Sequence, residues 1–240
     1  MRVPNKKQSG FTLIEIAIVL VIIGLLLGGV LKGQELINSA KVKNFATDFR
    51  NLPLYIYGYQ DKFKAIPGDD AQVTAHLGST LCPTATTCTD TPTTGTLGNG
   101  VLEGWWNASD TKQESYRFWQ HVRLAGLAAG PTDIGNAQWL PRNAEGNILG
   151  VSGGATANLP ISTLRGTYVA CSQGILGKFA KQLDITLDDG NAQTGSLQVM
   201  DNQAAPQAAT AAAIATSSAS LGGASAAIDE AGSYTVCMAF

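Results

Sequence analysis

The sequence predicts an α+β fold, in which one long N-terminal helix precedes a C-terminal head with an antiparallel sheet and extra short helices. Between Phe11 and Leu52 the chain has no proline and is first apolar, then amphipathic with helical spacing. Beyond residue 65, glycines and prolines interrupt the chain often and separate short alternating segments, which are typical of strands. These two observations define the predicted architecture.

The composition excludes a broad surface for nucleic acid. The 240 residues are 45% hydrophobic and 14% charged, and 16 basic against 18 acidic residues give a formal net charge of −2. Phosphate contacts need many lysines and arginines. Four cysteines and two histidines also leave little room for a site with several metal ions.

The N-terminus has the pattern of a membrane-targeting segment. Residues 1–10 carry three basic side chains and no acidic one, whereas residues 11–31 contain a single charge, Glu15. An α-helix of that length reaches roughly 31 Å, about the thickness of a hydrocarbon core. The small pair Ser9–Gly10 precedes the apolar run, so a cut after Gly10 leaves the run on the mature protein.

The helix is expected to continue beyond the apolar run. Apolar residues recur three or four positions apart, with charged residues between them, and Pro67–Gly68 provides a stop signal. We therefore predict one helix over residues 11–64, with residues 11–31 as the transmembrane part and residues 65–240 as the head. The amphipathic half is expected to pack one face on the head. The apolar face comprises Leu36, Ile37, Val42, Phe45, Phe49 and Leu52.

Glu15 is the one acid within the apolar run. A carboxylate in a membrane is costly and is functional by default. A new α-amino group at Phe11 would lie one helical turn away, in the same chain or in a neighbouring subunit. The alternative is that Glu15 sits at the interfacial edge of the bilayer without a partner.

The sequence from Ser9 to Glu15, after a short basic leader and before a long apolar helix, resembles the class III signal of type IV pilins and type II secretion pseudopilins. The resemblance implies that a prepilin peptidase removes residues 1–10 by cutting between Gly10 and Phe11 and that the Phe11 amine is N-methylated. It also implies that Glu15 neutralises that amine during filament assembly. Other pilins, an inner-membrane assembly platform and an ATPase motor are the implied partners.

The apolar helix departs from many pilins in one respect, because it lacks the proline that often lies about two-thirds along it. Glycines occupy the corresponding region and can soften the helix, since glycine costs about 1 kcal/mol relative to alanine. Their four-residue spacing also suits close packing of helices. Both interpretations stay open for Gly24, Gly28, Gly29 and Gly33.

The head is predicted to contain two helices and three strands. One helix is expected to be capped by Ser109 or Asp110, with Thr111 and Glu114 as a candidate capping box. The second helix is expected near residues 175–187. The strands are expected at residues 167–172, 196–200 and 233–240, with a loop at residues 77–100 and an Ala- and Ser-rich segment at residues 204–227.

The four cysteines allow three pairings. Cys82 and Cys88 close a small loop, whereas Cys171 and Cys237 lie in two predicted strands. We expect these two disulfides on the oxidising side of the membrane. Zinc is the rival interpretation, and the spacing of the cysteines and histidines disfavours it.

Two acidic turns, Asp69–Asp70 and Asp188–Asp189, are candidate calcium ligands, because calcium prefers oxygen donors. Such turns more often serve as caps without metal. Apart from calcium at these turns, the sequence predicts no cofactor. Trp105–Trp106 is either an exposed stacking pair or a packing anchor, and His121 is either a general base or a structural histidine.

No catalytic constellation is evident, so we expect a protein that is not an enzyme. The resemblance predicts a type IV pilus subunit that lies in the bacterial inner membrane with its head outside the cytoplasm and then joins an extracellular or periplasmic filament. The alternatives are a type II secretion pseudopilin and a membrane-anchored binding or adhesin module.

Overall fold

The computed structural model describes residues 13–78, 88, 95–154, 160–161, 163–201 and 228–240. The chain divides into two compact units, Met1–Lys41 and Val42–Phe240. The predicted segment 204–227, most of the predicted loop 77–100, and residues 1–12 lie outside the described residues. The fold is α+β, with a long apolar N-terminal helix, short helices and a four-stranded antiparallel sheet, as predicted.

Helix α1 spans Leu13–Phe63 and continues through Pro53. Its end is marked by Lys64, which has a φ of 56° and donates its backbone N–H to the carbonyl of Gln60 over 2.8 Å. A residue in the left-handed region commonly closes a helix in this way. The predicted helix is therefore present, and its end lies one residue before the expected boundary.

Within the unit Val42–Phe240, one face of α1 enters the main core. The buried face begins at Val42, whereas Leu36 and Ile37 are 62% and 59% exposed. The expected apolar face was therefore placed too early in the helix. The α1 residues of this core are Val42, Phe45, Ala46, Phe49, Leu52 and Ile56.

The described residues contain three further, short helices: α2 at Val73–Leu77, α3 at Glu114–Leu124 and α4 at Gly177–Leu187. Both predicted caps of α3 are wrong, namely the cap at Ser109 or Asp110 and the capping box of Thr111 with Glu114. Gln113 occupies the N-cap position without a side-chain cap, and Asp110 instead accepts the backbone N–H of Lys112 over 2.9 Å in its own turn. The second predicted helix is confirmed and starts two residues later than expected, because Ile175 belongs to a strand.

The sheet contains β1 at Leu149–Gly153, β2 at Tyr168–Leu176, β3 at Leu197–Asp201 and β4 at Ser233–Ala239. Its order is β1-β2-β4-β3, and all three pairings are antiparallel. The three predicted strands are present, and β1 was missed. The pairing of β2 with β4 shifts between Ser172 and Ile175, where Gly174 adopts a φ of 71° as expected for a bulge.

The sheet brings two cysteines together. Cys171 and Cys237 lie directly opposite one another in the β2–β4 pair, with their Cα atoms 4.1 Å apart, and form a disulfide. Both are fully buried. Cys88 is also disulfide-bonded, but its expected partner Cys82 lies outside the described residues.

Candidate assembly motif and candidate sites in the head

The first half of α1 is apolar on every side. Among the described residues, α1 is the one helix that is long and apolar enough to cross a membrane, and this follows from length and composition alone. Its most apolar window has a mean hydropathy of 2.8, and none of that window is buried within the chain. The side chains from Leu13 to Leu31 therefore need lipid or another protein chain to cover them.

Glu15 lies in the first turn of α1 and is exposed within the chain. An acidic side chain is favourable at that end of a helix, because the unpaired backbone N–H groups there carry positive partial charge. Gly10 and Phe11 lie outside the described residues. Cleavage between them, N-methylation of Phe11 and the pairing of its amine with Glu15 consequently remain predictions.

The four glycines of the apolar helix have open space around them. A Cβ atom added at Gly24, Gly28, Gly29 or Gly33 would meet no atom of the described residues within 4 Å. The helix is also uninterrupted at all four positions. Packing within the described chain therefore gives no reason for glycine there, and the softening and helix-contact interpretations both remain.

The register of the basic leader, Glu15 and the apolar helix agrees with an independent comparison. Residues 5–31 match the family model of the prokaryotic N-terminal methylation motif. The match is consistent with the type IV pilin and pseudopilin family, and it supports a pilin-like or pseudopilin precursor. No curated protein and no solved structure matches the chain significantly.

The methylation motif and the apolar helix together are typical of membrane anchoring before assembly. The motif family is structural rather than enzymatic. The match covers only the N-terminal part of the chain, so the candidate sites in the head rest on their own geometry.

Asp69 and Asp70, two of the predicted calcium ligands, are buried and serve as hydrogen-bond acceptors. Asp69 accepts the backbone N–H groups of Gly98, Asn99 and Gly100, the last over 2.7 Å. Burial raises the pKa of Asp69, although these three bonds oppose the effect. The bonds give Asp69 a structural role in holding a loop.

Asp70 connects α1 to α2. Its carboxylate accepts the hydroxyl of Tyr59 over 2.7 Å and the backbone N–H of Gln72 over 2.8 Å, and it contacts Nδ1 of His76 at 2.7 Å. Burial, followed by the bond to Asp70, raises the pKa of Tyr59, so the hydroxyl keeps its proton. Both acids lie beside a surface cavity of about 720 Å³. Calcium binding at Asp69 and Asp70 stays a prediction.

His121 is a structural histidine in this fold. It is fully buried, Nδ1 accepts the backbone N–H of Gly68, and Nε2 lies 3.2 Å from the carbonyl oxygen of Cys88. Burial lowers its pKa to about 4. Both ring nitrogens are occupied, which disfavours the role of general base considered from the sequence.

Trp105 and Trp106 are packing anchors, because they are only 8% and 1% exposed. The exposed stacking pair considered from the sequence is therefore wrong. Sequence reasoning placed Glu114 in a capping box and missed that its side chain is fully buried at the start of α3. Its Oε2 accepts the backbone N–H of Glu103 over 2.8 Å, whereas Oε1 has no partner among the described residues.

The second acidic turn gains a third carboxylate in the structure. Asp188 and Asp189 follow α4, and Asp184, one turn earlier in the helix, is buried beside them. The sequence contained a signal for Asp184, because it falls on the apolar stripe formed by Ala180, Leu183 and Leu187. Burial, and then the nearby Asp189 and Asp188, raise the pKa of Asp184 to about 6.

Proposed function

We propose that this chain is a subunit of a type IV pilus or pilus-like filament. The match of residues 5–31 to the methylation motif, in register with an apolar helix that the chain itself does not cover, is the observation that carries the proposal. The prepilin peptidase cuts between Gly10 and Phe11. The N-methylated subunit waits in the inner membrane with its head outside the cytoplasm.

The apolar half of α1 then exchanges lipid for neighbouring subunits. This exchange gives little hydrophobic gain, because lipid tails already cover the same side chains. The pairing of Glu15 with the Phe11 amine therefore supplies register between subunits rather than bulk affinity. In a low-dielectric filament core, an unpaired carboxylate or amine is costly, so misaligned subunits are disfavoured.

Mass spectrometry of the N-terminus tests the processing step. Protein from membranes and from sheared surface material is expected to begin at Phe11 with one added methyl group. A chain that retains residues 1–10 in both fractions would contradict the proposal.

Substitution of Glu15 tests the assembly step. Glu15→Ala is expected to abolish filaments while cleavage and membrane insertion continue. Glu35→Ala is the matched control, because it removes another acid of α1 whose partner is the exposed Lys32, 2.7 Å away. Filaments of normal yield from the Glu15→Ala strain would show that the carboxylate does not set register.

The N-terminal motif is shared by pilus subunits and secretion pseudopilins, and a strain that lacks the gene separates the two. Sheared filaments that contain this chain, together with normal export of secreted enzymes after deletion of its gene, are the outcome expected for a pilus. Loss of export without surface filaments would favour the pseudopilin.

A further inference from the structure

Three aspartates meet where α4 ends. Asp184 lies in the last part of the helix, Asp188 is its C-cap residue, and Asp189 begins the following turn. One oxygen from each carboxylate lies within 4.8 Å of the other two. Since a calcium ion holds its oxygen ligands at about 2.4 Å, ligands on one ion lie up to about 4.8 Å apart. A single cation can therefore contact all three side chains.

Asp184 supplies an observation beyond simple clustering. It is 1% exposed, and its Oδ1 has no hydrogen-bond partner among the described residues. An uncompensated buried carboxylate is costly. No ion pair between described residues involves any of the three aspartates. The charge of Asp184 thus lacks a partner within the described part of the protein, while two further carboxylates face the same point.

The other two aspartates are held in place and keep the capacity to bind a cation. Asp188 accepts the backbone N–H of Leu197 over 2.7 Å and the hydroxyl of Ser196 over 3.2 Å. Asp189 accepts the backbone N–H of Asn191 over 2.8 Å and the hydroxyl of Thr194 over 2.7 Å. Each carboxylate has about four lone-pair positions, so both retain free ones.

The turn before β3 is built to approach these carboxylates closely. A Cβ atom at Gly195, which has a φ of 76°, would lie 2.0 Å from Oδ2 of Asp188. Glycine is therefore required for the turn to reach the end of α4. The helix C-terminus adds further negative potential, because its last carbonyl groups point towards the same end. Three carboxylates at that position repel one another electrostatically, and a bound cation would offset the repulsion.

We propose that Asp184, Asp188 and Asp189 bind one divalent cation of the calcium type, which joins the end of α4 to the turn that leads into β3. Calcium accepts six to eight oxygens in irregular geometry, whereas magnesium demands an octahedron and usually keeps its water with only one or two carboxylates. A site with three carboxylates, which come from one helix end and the adjoining turn, therefore suits calcium better than magnesium. The site belongs to the head alone and does not depend on processing or filament assembly.

Calorimetric titration of the full chain in detergent, after removal of metals with a chelator, tests the proposal. Binding of one Ca²⁺ per chain is expected. The melting temperature should rise by about 5 °C when free Ca²⁺ exceeds its Kd about a hundredfold. Mg²⁺ at the same concentration should give a smaller rise.

Variants locate the site. Asp184→Asn and Asp189→Asn are each expected to abolish the rise in melting temperature with Ca²⁺, and the exposed Asp189 keeps the test valid if the buried change impairs folding. Asp133→Asn is the control, because Asp133 also accepts a backbone N–H in an exposed turn, that of Gly135 over 3.0 Å. Absence of Ca²⁺ binding in the unaltered chain, or an undiminished response in both variants, would overturn the proposal.

Discussion

The backbone N–H of Gly68 donates a hydrogen bond to Nδ1 of His121 over 2.9 Å. Because Nδ1 is the acceptor, the neutral ring carries its proton on Nε2, which donates to the carbonyl oxygen of Cys88. The imidazole therefore joins the turn after α1, helix α3 and the segment at Cys88. Its buried, neutral state follows from this geometry, since a protonated ring could not accept the bond from Gly68.

Gly68→Ala is expected to destabilise the protein by about 2 kcal/mol or more, since alanine is strained at positive φ and must also avoid nearby atoms. Gly68 has a φ of 97°, and a Cβ atom there would lie 2.5 Å from the carbonyl oxygen of Glu114. Thermal unfolding of the full chain in detergent measures the change.

Gly146→Ala is the matched control for this prediction. Gly146 has a φ of 79°, but a Cβ atom there would meet nothing within 4 Å among the described residues. The control reports the backbone strain alone, so Gly68→Ala should be clearly the more destabilising change. Equal losses for the two variants would show that the close approach to Glu114 is unimportant.

The buried Glu114 makes stability depend on pH. Burial raises its pKa from 4.5 to about 8, and the neighbouring Asp69 and Glu103 add to this while Arg117 opposes it. The folded state therefore binds a proton that the unfolded state has released, so the stabilisation that Glu114 contributes is greatest below about pH 4.5 and is lost as pH rises through 8. Between pH 6.5 and 8 the expected loss is about 2 kcal/mol.

Unfolding by urea at several values of pH tests this dependence. The interval above pH 6.5 is chosen because His121, with a pKa of about 4 in the folded state, is then neutral. Glu114→Gln should flatten the profile, whereas Glu230→Gln, which changes an exposed side chain, should leave it unchanged. A wild-type profile that is flat between pH 6.5 and 8 would contradict the assignment.

The sequence predicted those helices and strands whose own apolar residues show a regular spacing. Helix α1 and strands β2 to β4 were predicted because their apolar residues repeat with the spacing of the element itself. Strand β1 was missed because glycines replace side chains at two of its five positions. A Cβ atom at Gly150 would lie 1.8 Å from the carbonyl oxygen of Trp106, and one at Gly153 would lie 2.5 Å from that of Leu102. These glycines are needed because a distant segment of the chain packs against β1, and the local sequence pattern carries no sign of that contact.

For the candidate sites too, the sequence predicted what depends on neighbouring residues and missed what depends on distant contacts. The run from Ser9 to Glu15 is contiguous, so the sequence alone indicated the processing motif. Asp188 and Asp189 were also found as a pair. The helical spacing places Asp184 on the apolar stripe of α4, but its nearly complete burial depends on how the rest of the head packs on that stripe. The role of Asp69 could not be predicted, because the backbone N–H groups that it accepts lie about thirty residues further along the chain. Adjacent acids alone do not distinguish a metal site from a set of hydrogen-bond acceptors.

Loss of the Cys171–Cys237 disulfide is expected to lower stability by about 4 kcal/mol, because the bond closes a long loop in the unfolded chain. The two cysteines are 66 residues apart in sequence. Cys171→Ala combined with Cys237→Ala, measured by thermal unfolding, tests the value. Cys88→Ala serves as the comparison. A loss of less than about 1 kcal/mol for the double variant would show that the bond contributes little.

The glycines of α1 permit a test that separates helix softening from helix contact. Replacement of Gly24 and Gly28 by leucine adds bulk and raises helix propensity, whereas replacement by alanine raises propensity with little bulk. If the glycines provide a close contact between subunits, leucine should reduce filament yield at least tenfold and alanine should have a much smaller effect. If softness is what matters, alanine should reduce yield almost as much as leucine.

Sheared filaments are measured against membrane-bound subunit in each strain, so that a defect in insertion is not mistaken for one in assembly. Normal yield from the leucine variant would exclude both roles at these two positions.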